Sequence, residues 1–361
     1  SSGMEWNGME WNGINPSALL QEACGAIVGR NQEIEQHIID SWNTASPVEQ
    51  YGRLVNVVAQ YGSATNQNIL TVPKPCMIIA SADHGVADMG VSAYPKETTV
   101  GMTQNYLIPK GAGANSLANY CGAQMEVIDM GIDADMSWVP GLRSHKLGMG
   151  TKNFVEEPAM TREQAIEGIE TGIRLVQEKM ANGYNVFLVG EMGISNTTAS
   201  ALMTAKFAGL TAEEATGRGT NISDERLKLK QRIVHDVLVK YKDIPKDDAI
   251  GILAAVGGFE FTCIVGVILG AAAHHGMVII DGFNTSACAL VAKTLVPASM
   301  DYVMASHLSA EKAAKSSLQN LGLEAYVDLG LCLGEASGGS VQMGMLDLAV
   351  HMYKSVTGGK A

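Results

Sequence analysis

Cys76-Met77-Ile78-Ile79-Ala80-Ser81-Ala82-Asp83-His84-Gly85 is an apolar run of strand length that breaks into polar residues and a glycine. Such a run reads as a strand buried on both faces, with its carboxyl end open to a ligand. The pattern recurs down the chain. Met125 to Met130 ends in Gly131-Ile132-Asp133, Asn185 to Val189 in Gly190-Glu191-Met192-Gly193, Met277 to Ile280 in Asp281-Gly282-Phe283, and Tyr302 to Ala305 in Ser306-His307. Helical stretches separate these strands, among them Thr161 to Met180, where Thr161 and Gln164 have capping-box spacing. Strand, polar loop and helix in repetition predict an α/β fold with a mainly parallel sheet covered by helices on both faces. Ligands bind such sheets beyond the carboxyl ends of the strands.

Before the first strand, apolar positions at helical spacing from Leu19 to Val58 predict two or three helices broken at Ser46-Pro47. At 361 residues the chain exceeds one ordinary core, so a large domain with a smaller one is expected. Charged residues make up 17% and hydrophobic ones 47%, a balance that supports a packed interior and argues against extensive disorder. The net charge of -12 disfavours a nucleic-acid partner. Six scattered cysteines without a C-x-x-C pair fit reduced thiols of a cytoplasmic protein. The tract from Phe261 to Ile280 carries His274 and His275, costly in lipid, so it reads as a core helix entering a strand and not as a membrane span. Ser1-Ser2-Gly3 and the doubled Met-Glu-Trp-Asn-Gly resemble a tag and a duplicated start, with no export signal.

Two loops carry groups suited to chemistry. Leu333-Gly334-Glu335-Ala336-Ser337-Gly338-Gly339 sets one carboxylate among residues too small to cover it, making Glu335 the candidate base, although a lone Glu before a helix also serves as a dipole partner. Gly190-Glu191-Met192-Gly193-Ile194-Ser195-Asn196-Thr197-Thr198 leaves a strand for an alanine-rich helix and offers amides and hydroxyls to a phosphate, or simply caps the helix. It is neither a Walker A sequence nor G-x-G-x-x-G. Gly217-Arg218-Gly219 and a helix bearing Lys228, Lys230 and Arg232 follow. A rival constellation, Asp83, His84, His274, His275 and Asp281, has the residue types of a metal-dependent hydrolase.

Ser81-Ala82-Asp83-His84-Gly85-Val86, Gly190 to Thr198, Val256-Gly257-Gly258-Phe259, Asp281-Gly282-Phe283, Ser306 to Lys312 and Leu333 to Gly338 together resemble the nicotinate mononucleotide:5,6-dimethylbenzimidazole phosphoribosyltransferase family, in the same order from about residue 16 onward. The resemblance implies synthesis of the α-ribotide of a cobamide lower ligand, without metal or cofactor. It implies a Rossmann-like, doubly wound large domain over residues 73–339 and a small helical domain from 16–72 with 340–361, leaving 1–15 as a disordered tag. The enzyme would work as a homodimer or as a heterodimer with a paralogous subunit.

Carried over by position, Glu335 is the general base. Glu191, Met192, Gly193, Ser195, Asn196, Thr197, Thr198, Gly219, Lys230, Ser309 and Gly334 bind the nucleotide, Lys230 through its phosphate. Tyr94, Met102, Met192 and Leu333 shape the acceptor pocket. Benzimidazole enzymes carry serine, glutamine and leucine at the positions of Tyr94, Met102 and Met192, and larger or more apolar groups there predict a one-ring acceptor. The trio resembles the branch that joins phenol or p-cresol to ribose through oxygen. Dimethylbenzimidazole as acceptor and a silent scaffolding paralogue are the alternatives. A phenol titrates near ~10 and a glutamate near ~4.3, so complete proton transfer ahead of attack would cost roughly 8 kcal/mol. Proton transfer must therefore accompany bond formation.

Overall fold

The computed structural model describes residues 18–219 and 221–358. The tag and duplicated start read at 1–15 lie outside the described residues, as do the last three positions of the predicted 340–361 segment. Three helices come first, α1 (Ala18–Ala26), α2 (Gln32–Ala45) and α3 (Leu54–Ala64). Then follow β1 (Pro75–Ala82), α4 (Thr98–Leu107), α5 (Gly113–Cys121), β2 (Gln124–Gly131), β3 (Arg143–Ser144), α6 (Arg162–Ala181) and β4 (Val186–Met192). The second half contains α7 (Asn196–Ala208), α8 (Ala212–Ala215), α9 (Asp224–Lys240), α10 (Ala249–Val256), α11 (Phe259–Ala273), β5 (Met277–Ile279), α12 (Phe283–Leu295), β6 (Val303–Met304), α13 (Ala314–Leu321) and α14 (Ser337–Val356).

All six strands are parallel, in the order β3-β2-β1-β4-β5-β6. This is the doubly wound order, with its switch point between β1 and β4. Every residue of β1 is buried, which explains its unbroken apolar run. The five strands read from the sequence are present. The sixth, β3, is a two-residue edge pairing of Arg143 and Ser144 with Ile128 and Asp129, too short to show a period. Thr161 caps α6 as its spacing predicts, accepting from the Gln164 amide while the Gln164 side chain accepts from Thr161.

Helix α11 lies along β1, β2, β4 and β5 and is covered by α6, while α14, α4 and α5 also meet the sheet. Of the two chain ends expected to form a small helical unit, α2 and α3 do pack with α14, and the Trp42 ring sits 5.4 Å from that of Tyr353. Helix α1 lies instead against α6 and α11, its Leu20 amide donating to Glu170 at 3.2 Å. One continuous hydrophobic core joins all of these elements. No helix among the described residues is long and apolar enough to cross a membrane, and the tract from Phe261 forms α11 and β5 as read.

The α6–α11 crossing depends on glycine. A Cβ on Gly266 would run into the Ile169 carbonyl, and one on Gly172 into that of Cys263, so the backbones touch. Backbone cannot yield as a side chain tip can. Gly266→Val is expected to lower stability by about 1–3 kcal/mol or more, read as a lower urea midpoint at unchanged slope.

Candidate functional site

The carboxyl ends of β1, β4, β5 and β6 open into one cleft. Its wall includes Glu191 to Thr198 after β4, Gly219 and Lys230 from the α9 region, Asp281 to Asn284 after β5, His307 and Ser309 after β6, and Leu331 to Glu335 before α14. Every residue expected to bind the nucleotide, together with Glu335, Met192 and Leu333, lines this cleft. Tyr94 and Met102 are not among its lining residues. Tyr94 is 53% exposed, two residues beyond Ser92 on the rim, and Met102 is half-buried on α4.

The sequence reads the segment around Glu335 as a binding loop and not a helix interior, and the backbone at Glu335 is non-helical. Gly334, Glu335 and Ala336 have φ of +76°, +57° and +60°, a left-handed run in which two residues carry side chains. Gly338 and Gly339 are not part of that loop. They form the first turn of α14, where their unpaired amides need an acceptor and Ala336 offers no capping side chain. Asp281 supplies it from another element, accepting from the amides of Ala336 at 3.1 Å, Gly338 at 2.8 Å and Gly339 at 3.3 Å. Gly190 completes the seat, because a Cβ there would stand 2.9 Å from the Ala336 nitrogen.

Glu335 is buried, and Tyr106 of α4 donates to its Oε1 at 2.6 Å. Burial pushes the Glu335 carboxyl above the usual range, the Tyr106 hydroxyl pulls it back, and Asp281 adds to the rise. In the same cleft, Glu191 Oε1 accepts from Asn284 at 2.7 Å. Burial pushes Glu191 up to about 8, with the Asn284 bond opposing and Asp281 reinforcing the shift.

The same wall carries Lys230 and Arg218. Lys230, 2% exposed, donates to Thr197 Oγ1 at 3.0 Å and to the Gly217 carbonyl at 3.1 Å. Burial lowers its pKa and nearby Glu311 partly restores it. Helix α7 begins beside it, introduced by Ser195 in the left-handed region at φ +76°, and Arg218 stands at the rim. Both cations of this wall have acidic company, Glu311 beside Lys230 and Asp224 paired with Arg218.

The rival metal constellation is not assembled. His84 pairs with Glu260 at 2.6 Å inside the core, and Asp83 accepts from the Asp133 amide at 2.7 Å. His274 and His275 follow α11 at the amino ends of the strands, away from the cleft, and Asp281 is occupied by the α14 amides. Among the described residues no group of three or more His, Cys, Asp or Glu side chains is placed to hold a metal ion. Sequence reasoning missed Tyr106 and Asn284, which sit in no glycine-rich stretch and had no signal of their own, while Glu311 was legible only as a member of the Ser306 to Lys312 motif. Asp281 and His307 were legible only as motif members, without roles.

A buried carboxyl with a raised pKa holds its proton in the folded protein after the unfolded chain has lost it. Its contribution to stability is therefore complete below the ordinary value of 4.5 and is lost as pH rises through about 8. Between pH 5 and 9 the wild type should lose a few kcal/mol more than Glu191→Gln, as measured by urea unfolding at each pH.

A phosphoribosyltransferase family model matches residues 27–360. The chain is 40% identical over 314 residues to nicotinate-nucleotide–dimethylbenzimidazole phosphoribosyltransferase of Geobacter metallireducens, covering 87% of this chain and 88% of the relative. It is 41% identical over 303 residues to the protein of that name from Chloroflexus aggregans, covering 84% and 85%. The structure is similar to that of CobT from Thermus thermophilus, with a TM-score of 0.84 and 32% identity over 89% of this chain and 96% of that one. With the doubly wound sheet and the shared cleft at its switch point, these matches make the chain a member of the nicotinate-nucleotide–dimethylbenzimidazole phosphoribosyltransferase family.

Proposed function

We propose that the chain moves the 5-phosphoribosyl group of nicotinate mononucleotide onto an aromatic cobamide lower-ligand base, with inversion to the α-ribotide, and that the favoured acceptor is a one-ring phenol. The placing of Glu335 in one cleft with Lys230 and the start of α7 carries this reading. Nicotinate mononucleotide bears a phosphate at one end of its ribose and, at the other, a pyridinium that itself carries a carboxylate. Lys230, Arg218 and the start of α7 suit the phosphate. Asp281 and Glu335 suit the anomeric carbon, where positive charge grows as the pyridinium departs.

The bond from C1 to the ring nitrogen breaks, and its electron pair leaves with nicotinate, which needs no protonation. The acceptor oxygen bonds to C1 from the opposite face. Its proton passes to Glu335, so the products are nicotinate and an aryl ribotide phosphate. Burial raises the affinity of Glu335 for a proton and narrows its gap to a phenol, which makes concerted transfer easier. The hydrogen bond that Glu335 already receives from the Tyr106 phenol is the contact an acceptor hydroxyl would make. A benzimidazole attacks through an existing lone pair and has less need of the base.

The second reading, a benzimidazole acceptor, is favoured by the names that the relatives carry. A scaffolding role is disfavoured by the presence of Glu335.

Glu335→Gln is expected to bind nicotinate mononucleotide normally and to lose about 10²- to 10⁴-fold in kcat; near-normal turnover would remove Glu335 from the mechanism. Supplied with nicotinate mononucleotide and an equimolar mixture of phenol, p-cresol and dimethylbenzimidazole, the wild type should give mainly aryl ribotides by mass spectrometry. Tyr94→Ser with Met102→Gln should move that ratio toward dimethylbenzimidazole. A ratio that does not move would overturn the phenol argument.

A further inference from the structure

Helix α4 reaches the cleft along one stripe. Thr99, Met102, Thr103 and Tyr106 are spaced three and four apart and share a face. Thr99 Oγ1 accepts from the Ile194 amide at 3.1 Å, Thr103 shares a hydrogen bond with Ser81 at the end of β1, and Tyr106 reaches Glu335. The helix therefore touches the turn after β4, the end of β1 and the loop before α14 at once. Tyr106 is 1% exposed, and among the described residues no other group hydrogen-bonds the Glu335 carboxylate.

We infer that Tyr106 is a positioning residue for this transferase: by donating to Oε1 it fixes the rotamer of Glu335, sets its proton affinity and leaves Oε2 to meet the proton of the acceptor. The inference rests on the reading of Glu335 as the base. The donor is permanent, because burial and the neighbouring Glu335 push the Tyr106 phenol far above its ordinary range. A donated hydrogen bond favours the charged carboxylate and so opposes the burial that raises Glu335. The other groups around Glu335 are Asp281 from the loop after β5, Glu191 from β4 and His307 beyond β6, whose Nε2 is 3.6 Å from Asp281 Oδ1. Burial and Asp281 act against ionisation of Glu335, and the hydrogen bond from Tyr106 is what opposes them.

Tyr106→Phe keeps the ring and removes the donor. The carboxylate then holds its proton to higher pH, and the acid limb of kcat/KM should move upward by about one unit. Turnover should fall roughly tenfold below the limb and recover toward the wild-type value above it, with KM for nicotinate mononucleotide within about twofold. A purely structural role would lower the rate by one factor at every pH, and an unmoved limb overturns the inference. Should Tyr106→Phe fail to fold, 3-fluorotyrosine at position 106, a stronger donor of nearly the same shape, should move the limb downward; no movement is again a refutation. Difference infrared titration of Glu335, taken against Glu335→Gln, follows the same shift without turnover. If Glu335→Gln stays active while the infrared shift is seen, the reading of the base fails and the coupling stands. An inactive Glu335→Gln with no infrared shift in Tyr106→Phe sinks the Tyr106 inference alone.

Discussion

The carboxylate of Asp281 holds the first turn of α14, and much of the site is arranged around that interaction. A helix begins with amides that have no partner within it, and a buried helix start without an acceptor is expensive. Here the acceptor comes from the loop after β5, so the sheet itself caps the helix. The cap also holds three consecutive residues in the left-handed region, at a cost of order 1 kcal/mol or more for each that bears a side chain. Glu335 is one of them. Strain in the loop and anchoring by Asp281 together keep that carboxylate at the carboxyl ends of the strands.

Crowding acids into one buried cleft has an electrostatic cost that the structure distributes unevenly. Asp281 is supplied with backbone donors, Glu191 with the amide of Asn284, and Glu335 with the phenol of Tyr106. Glu191 is nonetheless pushed up to about 8 and spends neutral pH largely protonated.

Legibility in the sequence followed the range of the interaction. The strands could be read because each is a short buried run with polar residues at its end, and the cap on α6 because Thr161 and Gln164 are three residues apart. The nucleotide turn and the loop around Glu335 could be read because glycine and small polar residues cluster there. The same cue over-reached at Gly338 and Gly339, which belong to α14; Gly338 is small because the helix passes close to His307, and both give their amides to Asp281. The metal constellation failed for a related reason. Residue types that bind metals were present, but His84 was already committed to Glu260 and the two late histidines were at the other end of the sheet.

The sequence alone determined the parallel sheet, the order of its strands along the chain, the loops that gather at their carboxyl ends and the identity of the exposed-looking glutamate. Periodicity and local composition carry that information, because neighbours in the chain must share a strand, a helix or a turn. Only the tertiary structure decided which groups surround Glu335. Tyr106 lies 229 residues away from it in the chain and Asp281 more than 50 residues before α14, and neither is marked by its own neighbours. A hydrogen bond between distant segments depends on how helices stack against the sheet, and no local pattern encodes that packing.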